Sequence, residues 1–168
     1  MSVDREAIYL ALFGLLKSKL LVANGGPFVT IGRRLVSPPT LTADEQPALF
    51  INETKETKTS KLQASTIPGR GTGGILTLNS ILHLYCYRTD ITEQIGLETA
   101  LSATQLNTLL AAIDDALEPK FPEKNNVQSL GGLVYHCKID GSTAIIDPGM
   151  LNQQAAALIP LTILVPQE

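Results

Sequence analysis

ILTLNSILHLYCYR, residues 75–88, alternates too regularly to be a helix. Its even positions, Leu76, Leu78, Ser80, Leu82, Leu84 and Cys86, form a nearly apolar face, and its odd positions include Thr77, Asn79, His83, Tyr85 and Tyr87. A period of two with one apolar and one mixed side describes a strand whose successive side chains point to opposite faces of a sheet. β-Branched and aromatic residues suit that role, and the lack of proline leaves every backbone N–H free to pair. The stretch is predicted to be the middle strand of the sheet.

Working back from it, residues 48–61 read ALFINETKETKTSK and change character halfway. Ala48 to Ile51 is apolar, whereas the part after it is polar on both faces yet rich in strand-favouring threonine. A core cannot hold such a strand, but antiparallel pairing with the chain from Thr72 onward can. The prediction is a long β-hairpin with its base in the sheet and an outer part, at about residues 52–74, projecting as an arm. Its apex, residues 62–71, mixes Leu62 and Ile67 with Ser, Thr, Pro and Gly and is expected to be mobile in the isolated chain. The plain reading is a solvated surface loop; the functional one is an arm that orders on meeting a neighbour.

Earlier still, Ile8, Leu12, Leu15, Leu16 and Leu20 recur at helical spacing over residues 4–22. Asp4 or Ser2 can cap this helix, lysines close it, and Asn24-Gly25-Gly26 stops it. Core packing on the sheet explains it better than a membrane or partner role, given the few positive charges on its polar side. Residues 28–36, FVTIGRRLV, read as a short strand in which the pleat sends Arg33 and Arg34 to opposite faces. At least one of them must then reach solvent, a partner or an acid.

Past the central strand, residues 102–118 show a second apolar stripe, Leu106, Leu109, Leu110, Ile113 and Leu117, with Ser102 and Gln105 at capping-box spacing and Pro119 as terminator. Residues 129–140, SLGGLVYHCKID, are predicted as a strand ending in an Asp140-Gly141 turn. Residues 142–146 fit a short strand, and residues 155–165 a last one. Pro160 cannot donate to a ladder, which places that last strand at an edge or bulges it near the proline. The sum is an α+β domain over residues 1–168: a mainly antiparallel sheet of about five strands, two helices on one face, and a hairpin arm. The other face then needs solvent or a partner.

At 168 residues with a net charge of −3 and a pI near 5.4, the chain can bury a core without metal or disulfide and is not expected to bind nucleic acid sequence-specifically. Two cysteines, Cys86 and Cys137, point to a reducing compartment, with synthesis in the cytoplasm. Asp4 and Glu6 precede the N-terminal apolar run where a signal peptide carries positive charge, and Lys17 and Lys19 interrupt it short of a membrane span.

The chemistry-bearing residues do not assemble into a catalytic set. His83, Cys86, His136 and Cys137 have the composition of a zinc site, but the pleat points His83 away from Cys86 and His136 away from Cys137, so no metal is expected. Gly69-Arg70-Gly71-Thr72-Gly73-Gly74 lacks the Lys-Ser/Thr of a phosphate loop and precedes a strand. Asp114 and Asp115 sit late on the second helix, on its solvated side, and no nucleophile elbow is present. No enzyme activity and no cofactor are predicted.

Six blocks in order, REAIYLALFGLL, TIGRRL followed by EQPALFI, ILHLYCY, NTLLAAIDDALEP, SLGGLVYHCKIDG and AALIPLTILVP, together resemble the tail terminator, or tail completion, proteins of tailed bacteriophages. The resemblance spans nearly the whole chain and rests on the order of the blocks. It departs from the family at the arm, which is longer and richer in Thr and Lys. It implies a structural virion protein that forms a ring, a hexamer, on the head-proximal end of the tail tube. Such a ring stops tube polymerisation and forms the surface for head joining. The implied partners are further copies of the chain, the major tail tube protein and a head–tail connector or neck protein, with DNA passing through the ring and no membrane. On this reading Arg33, Arg34, Lys55, Lys58, Lys61 and Arg70 are the candidate partner contacts. A head-completion or neck connector of the same virion is the alternative, and a small-ligand-binding protein or enzyme the distant one.

Overall fold

The computed structural model describes residues 3–59, 74–88, 101–119, 127–146 and 154–166. The alternating run forms β3 (Ile75–Arg88), flanked by β2 (Ala48–Thr59) and β6 (Gln154–Pro166). β1 (Thr30–Gly32) adds to β2, while β4 (His136–Ile139) and β5 (Ala144–Ile146) both pair with β6, giving the order β1-β2-β3-β6-β4 with β5 also on β6. The β1–β2 pair is parallel and the other ladders are antiparallel. With helices α1 (Arg5–Leu20) and α2 (Leu101–Leu117), the class is α+β.

The apolar face of β3 is the floor of the core. Leu76, Leu82, Leu84 and Cys86 are fully buried, and Leu78 and Ser80 are 2% exposed. Register brings Leu84 beside Leu49 and Ala157, and Leu82 beside Ile51 and Ile159. Ile8, Leu12, Leu16 and Leu20 of α1 and Leu106, Leu109 and Ile113 of α2 close the same cluster from above. Both helices therefore lie on one face. Each fully buried Leu or Ile there contributes about 1.5–3 kcal/mol, which is why the sheet needs no staple.

Local signals position α1. Asp4 accepts a hydrogen bond from Ala7 N at 3.0 Å, capping the first turn, and Gly25 takes a left-handed conformation that closes the short 3-10 turn Val22–Asn24 after the helix. The chain folds straight back: Phe28 N donates to the Leu20 carbonyl at 2.9 Å, and a Cβ on Gly26 would lie 2.1 Å from the Leu20 carbonyl carbon. Only glycine fits that approach.

Four features differ from the sequence expectations. The strand expected over residues 28–36 pairs only at Thr30–Gly32, with a bridge from Phe28 to Leu21. After it the chain turns away through short 3-10 turns, and residues from this stretch cover one end of the opposite sheet face. There Leu41, Ala48, Phe50, Tyr85 and Ala156 make a second, small cluster. The strand expected over residues 129–140 is regular only from His136, because Leu130, Gly131 and Gly132 have positive φ and form a turn.

The last strand is neither an edge nor bulged at its proline. Pro160 pairs with Ile81 in an unbroken stretch of the β3 ladder. On its other side the β4 ladder ends at Leu161 and the β5 ladder begins at Leu158. Its carbonyl accepts from Asp140 N on that side, and the N and C=O of one strand residue point the same way. The missing N–H thus lies on the side where β4 gives way to β5, beside the turn at Asp140-Gly141.

Finally, the polar half of β2 stays in the sheet as far as Thr59, which pairs with Ile75. A bulge at Thr54 shifts the register between Glu53 and Lys55. Leu49, Ile51 and Glu53 face the helices before it, and Glu56 and Lys58, opposite Leu78 and Leu76, face them after it. The rest of the arm, residues 60–73, lies outside the described residues.

Candidate partner-binding surfaces

Arg33 is held within the chain. Its guanidinium donates to both carboxylate oxygens of Glu6, at 2.6 and 3.1 Å, and to Glu53 at 2.6 Å, and it lies 5.5 Å from the centre of the Tyr9 ring. These hydrogen bonds raise its pKa, with Glu6 the larger cause, and Arg33 in turn lowers that of Glu6. Tyr9 passes beneath to Ser80, with a 3.0 Å contact between the two buried hydroxyls. One turn earlier Arg5 donates to both oxygens of Glu56, at 2.6 and 3.0 Å, which lowers the Glu56 pKa. The bulge at Thr54 makes this possible, because it keeps both Glu53 and Glu56 on the face that carries α1.

The other predicted contacts are distributed as follows. Arg34, beside Arg33, is exposed. Lys55 and Lys58 are exposed on opposite faces of β2. Lys61 and Arg70 lie outside the described residues. The structure therefore keeps Lys55 and Lys58 together on the outer half of β2, separates them from Arg34 at the β1 end, and withdraws Arg33 into an internal clamp.

Beyond Phe50, where its pairing with β1 stops, the outer edge of β2 meets no strand among the described residues. Thr54 Oγ1 donates to the Asn79 carbonyl at 2.9 Å and Asn79 Nδ2 to the Lys55 carbonyl at 3.4 Å, so the bulge is tied down. Charges and a bulge are the usual means by which a protein keeps an open edge from pairing indiscriminately.

The sheet face opposite the helices carries Ile75, Thr77, Asn79, Ile81 and His83 from β3 and Leu158, Pro160, Thr162, Leu164 and Pro166 from β6, all half-buried. Burial lowers the His83 pKa, and its Nε2 is 3.5 Å from Asn52 Nδ2. Cys86, on the helix side, is buried with its thiol pushed up to about 12, as is Cys137. The two thiols lie across the sheet plane from His83 and His136, and no group of three metal-binding side chains occurs among the described residues.

At the far edge of the sheet a groove of about 480 Å³ runs between the end of α2 and β4, lined by Asp114, Asp115, Leu117, Glu118, His136, Lys138 and Ile139 among others. Sequence reading placed Asp114 and Asp115 on a solvated face but could not show that β4 passes beside them. Among the described residues no helix is long and apolar enough to cross a membrane. The chain matches no family model and no curated protein.

Proposed function

We propose that the chain is a structural subunit of a tailed phage particle, a ring-forming terminator of the tail tube that ends tube growth and receives the head. The observation that carries this reading is the ordered set of six sequence blocks that resembles the tail terminator proteins. The fold adds support, since each block falls on a framework element. REAIYLALFGLL makes α1, EQPALFI leads into β2, ILHLYCY belongs to β3, NTLLAAIDDALEP to α2, SLGGLVYHCKIDG to the turn and β4, and AALIPLTILVP to β6. A sheet with both helices on one face and half-buried aliphatic side chains on the other also suits a subunit that meets neighbours.

Immunogold labelling of particles from the parent phage or prophage tests the location. Label at the head-proximal end of the tail supports the reading; label elsewhere on the particle, or none, rejects it.

A further inference from the structure

We propose that copies of this chain associate head to tail, the outer edge of β2 in one copy docking into the acidic groove between α2 and β4 of the next. The proposal deepens the ring reading and rests on it for taking the occupant to be a second copy.

The groove carries three carboxylates, and the nearby cations of the same copy have other partners: Lys19 of α1 donates to the Ala116 carbonyl at 2.9 Å, and Lys138 pairs with Asp140. Asp114, Asp115 and Glu118 are exposed around the C-terminal end of α2, where no basic residue stands in the last turn. Carboxylates there oppose the negative end of the helix dipole and weaken the helix rather than support it. None of the three forms an ion pair with a described residue; Lys138, on the opposite wall, pairs with Asp140 at 3.4 Å. Leu117, Pro119 and Ile139 give the groove apolar surface between the charges.

The matching cations stand at the opposite side of the sheet. Glu53 and Glu56 of β2 are occupied by Arg33 and Arg5, which leaves Lys55 and Lys58 as the charges this edge presents outward. They flank the strand on its two faces, so an edge entering a groove would carry one lysine toward each wall. Neither forms an ion pair with an acid among the described residues, although Lys58 lies near enough to Glu56 to help lower its pKa. Because edge and groove lie at opposite sides of one sheet, each copy keeps a free edge and a free groove after the first contact. A contact of that kind repeats from copy to copy and closes into a ring where the rotation between copies allows it.

Sedimentation velocity of the full chain tests this with two variants, Lys55→Glu/Lys58→Glu and Asp114→Lys/Asp115→Lys, at low salt and near 1 M salt, where the screening length is about 3 Å. All four positions are exposed, and thermal melting by circular dichroism checks that each variant is folded; the milder Lys→Gln and Asp→Asn versions replace any that is not. Wild type should self-associate at low salt and lose association at high salt. Each reversal variant alone should associate at least about tenfold more weakly, because like charges then face each other. An equimolar mixture of the two should recover association, since every edge again meets a groove of opposite sign. A wild type that stays monomeric at low salt, variants that associate like wild type, or a mixture that fails to recover would overturn the proposal. A salt-resistant oligomer indifferent to both reversals would remove this interface while leaving the ring reading standing.

Discussion

Tyr9 and Ser80 offer the sharpest test of how α1 is fixed to the sheet. Tyr9 is 4% exposed and Ser80 2%, and their hydroxyls, 3.0 Å apart, join α1 to the middle of β3 across the core. Tyr9→Phe leaves the Ser80 hydroxyl buried without that partner, and Ser80→Ala leaves the Tyr9 hydroxyl in the same position. An unsatisfied buried polar group costs about 1–3 kcal/mol, whereas replacing both partners by apolar groups is nearly neutral. Each single variant should therefore lose about 1–3 kcal/mol, and the double variant should lose less than the two singles combined, giving a coupling of roughly 1–2 kcal/mol. Urea unfolding with an unchanged m-value measures it, and each kilocalorie should appear as a fall of about 2–4 °C in Tm for a chain of this size. Additive losses would refute the argument and mean that each hydroxyl finds another partner once its neighbour is gone.

Arg33→Ala should destabilise by about 1–2 kcal/mol, a modest figure because the Glu6 and Glu53 side chains are 64% and 47% exposed and water screens them; an unchanged urea midpoint with lost assembly would return Arg33 to the partner surface. The folded-state pKa values of Glu6 and Glu56 lie below the ordinary 4.5 because arginines hydrogen-bond to their carboxylates, so the folded state binds fewer protons there than the unfolded one. Their contribution is present above pH 4.5 and lost as pH falls through the lowered values; in Arg33→Ala, urea midpoints measured across that window should show a shallower fall. Cys86 and Cys137, with thiols near 12, should resist a thiol reagent at neutral pH until the domain unfolds, so labelling rates should follow unfolding rates; rapid labelling of the native protein would contradict the core described here.

β3 was legible because nothing interrupts its alternation and one of its faces is almost wholly apolar. Both helices could be read for the same reason, each having a stripe of Leu and Ile at helical spacing. The bulge at Thr54 was not legible, because Asn52 to Thr59 is polar on both faces and a one-residue shift leaves no mark on a pattern without a buried side. Arg33's place was hidden with it: its two acids are remote in sequence, Glu53 reaching it through the parallel pairing of β1 with β2 and Glu6 through the packing of α1. Pro160 misled for a different reason. Its N–H is dispensable where β4 gives way to β5, and that junction depends on where the turn after Asp140 falls. The groove beside α2 was invisible as well, since the helix pattern gives the direction of Asp114 and Asp115 but not the strand that passes them.

The most direct test of the central claim is electron microscopy of particles made by the parent phage or prophage after removal of this gene. The account predicts full heads and tail tubes that are unjoined, with tubes of uncontrolled, excessive length. Tails of normal length that merely fail to join heads would contradict it in favour of a connector at the neck, and intact infectious particles would contradict any role at the head–tail junction.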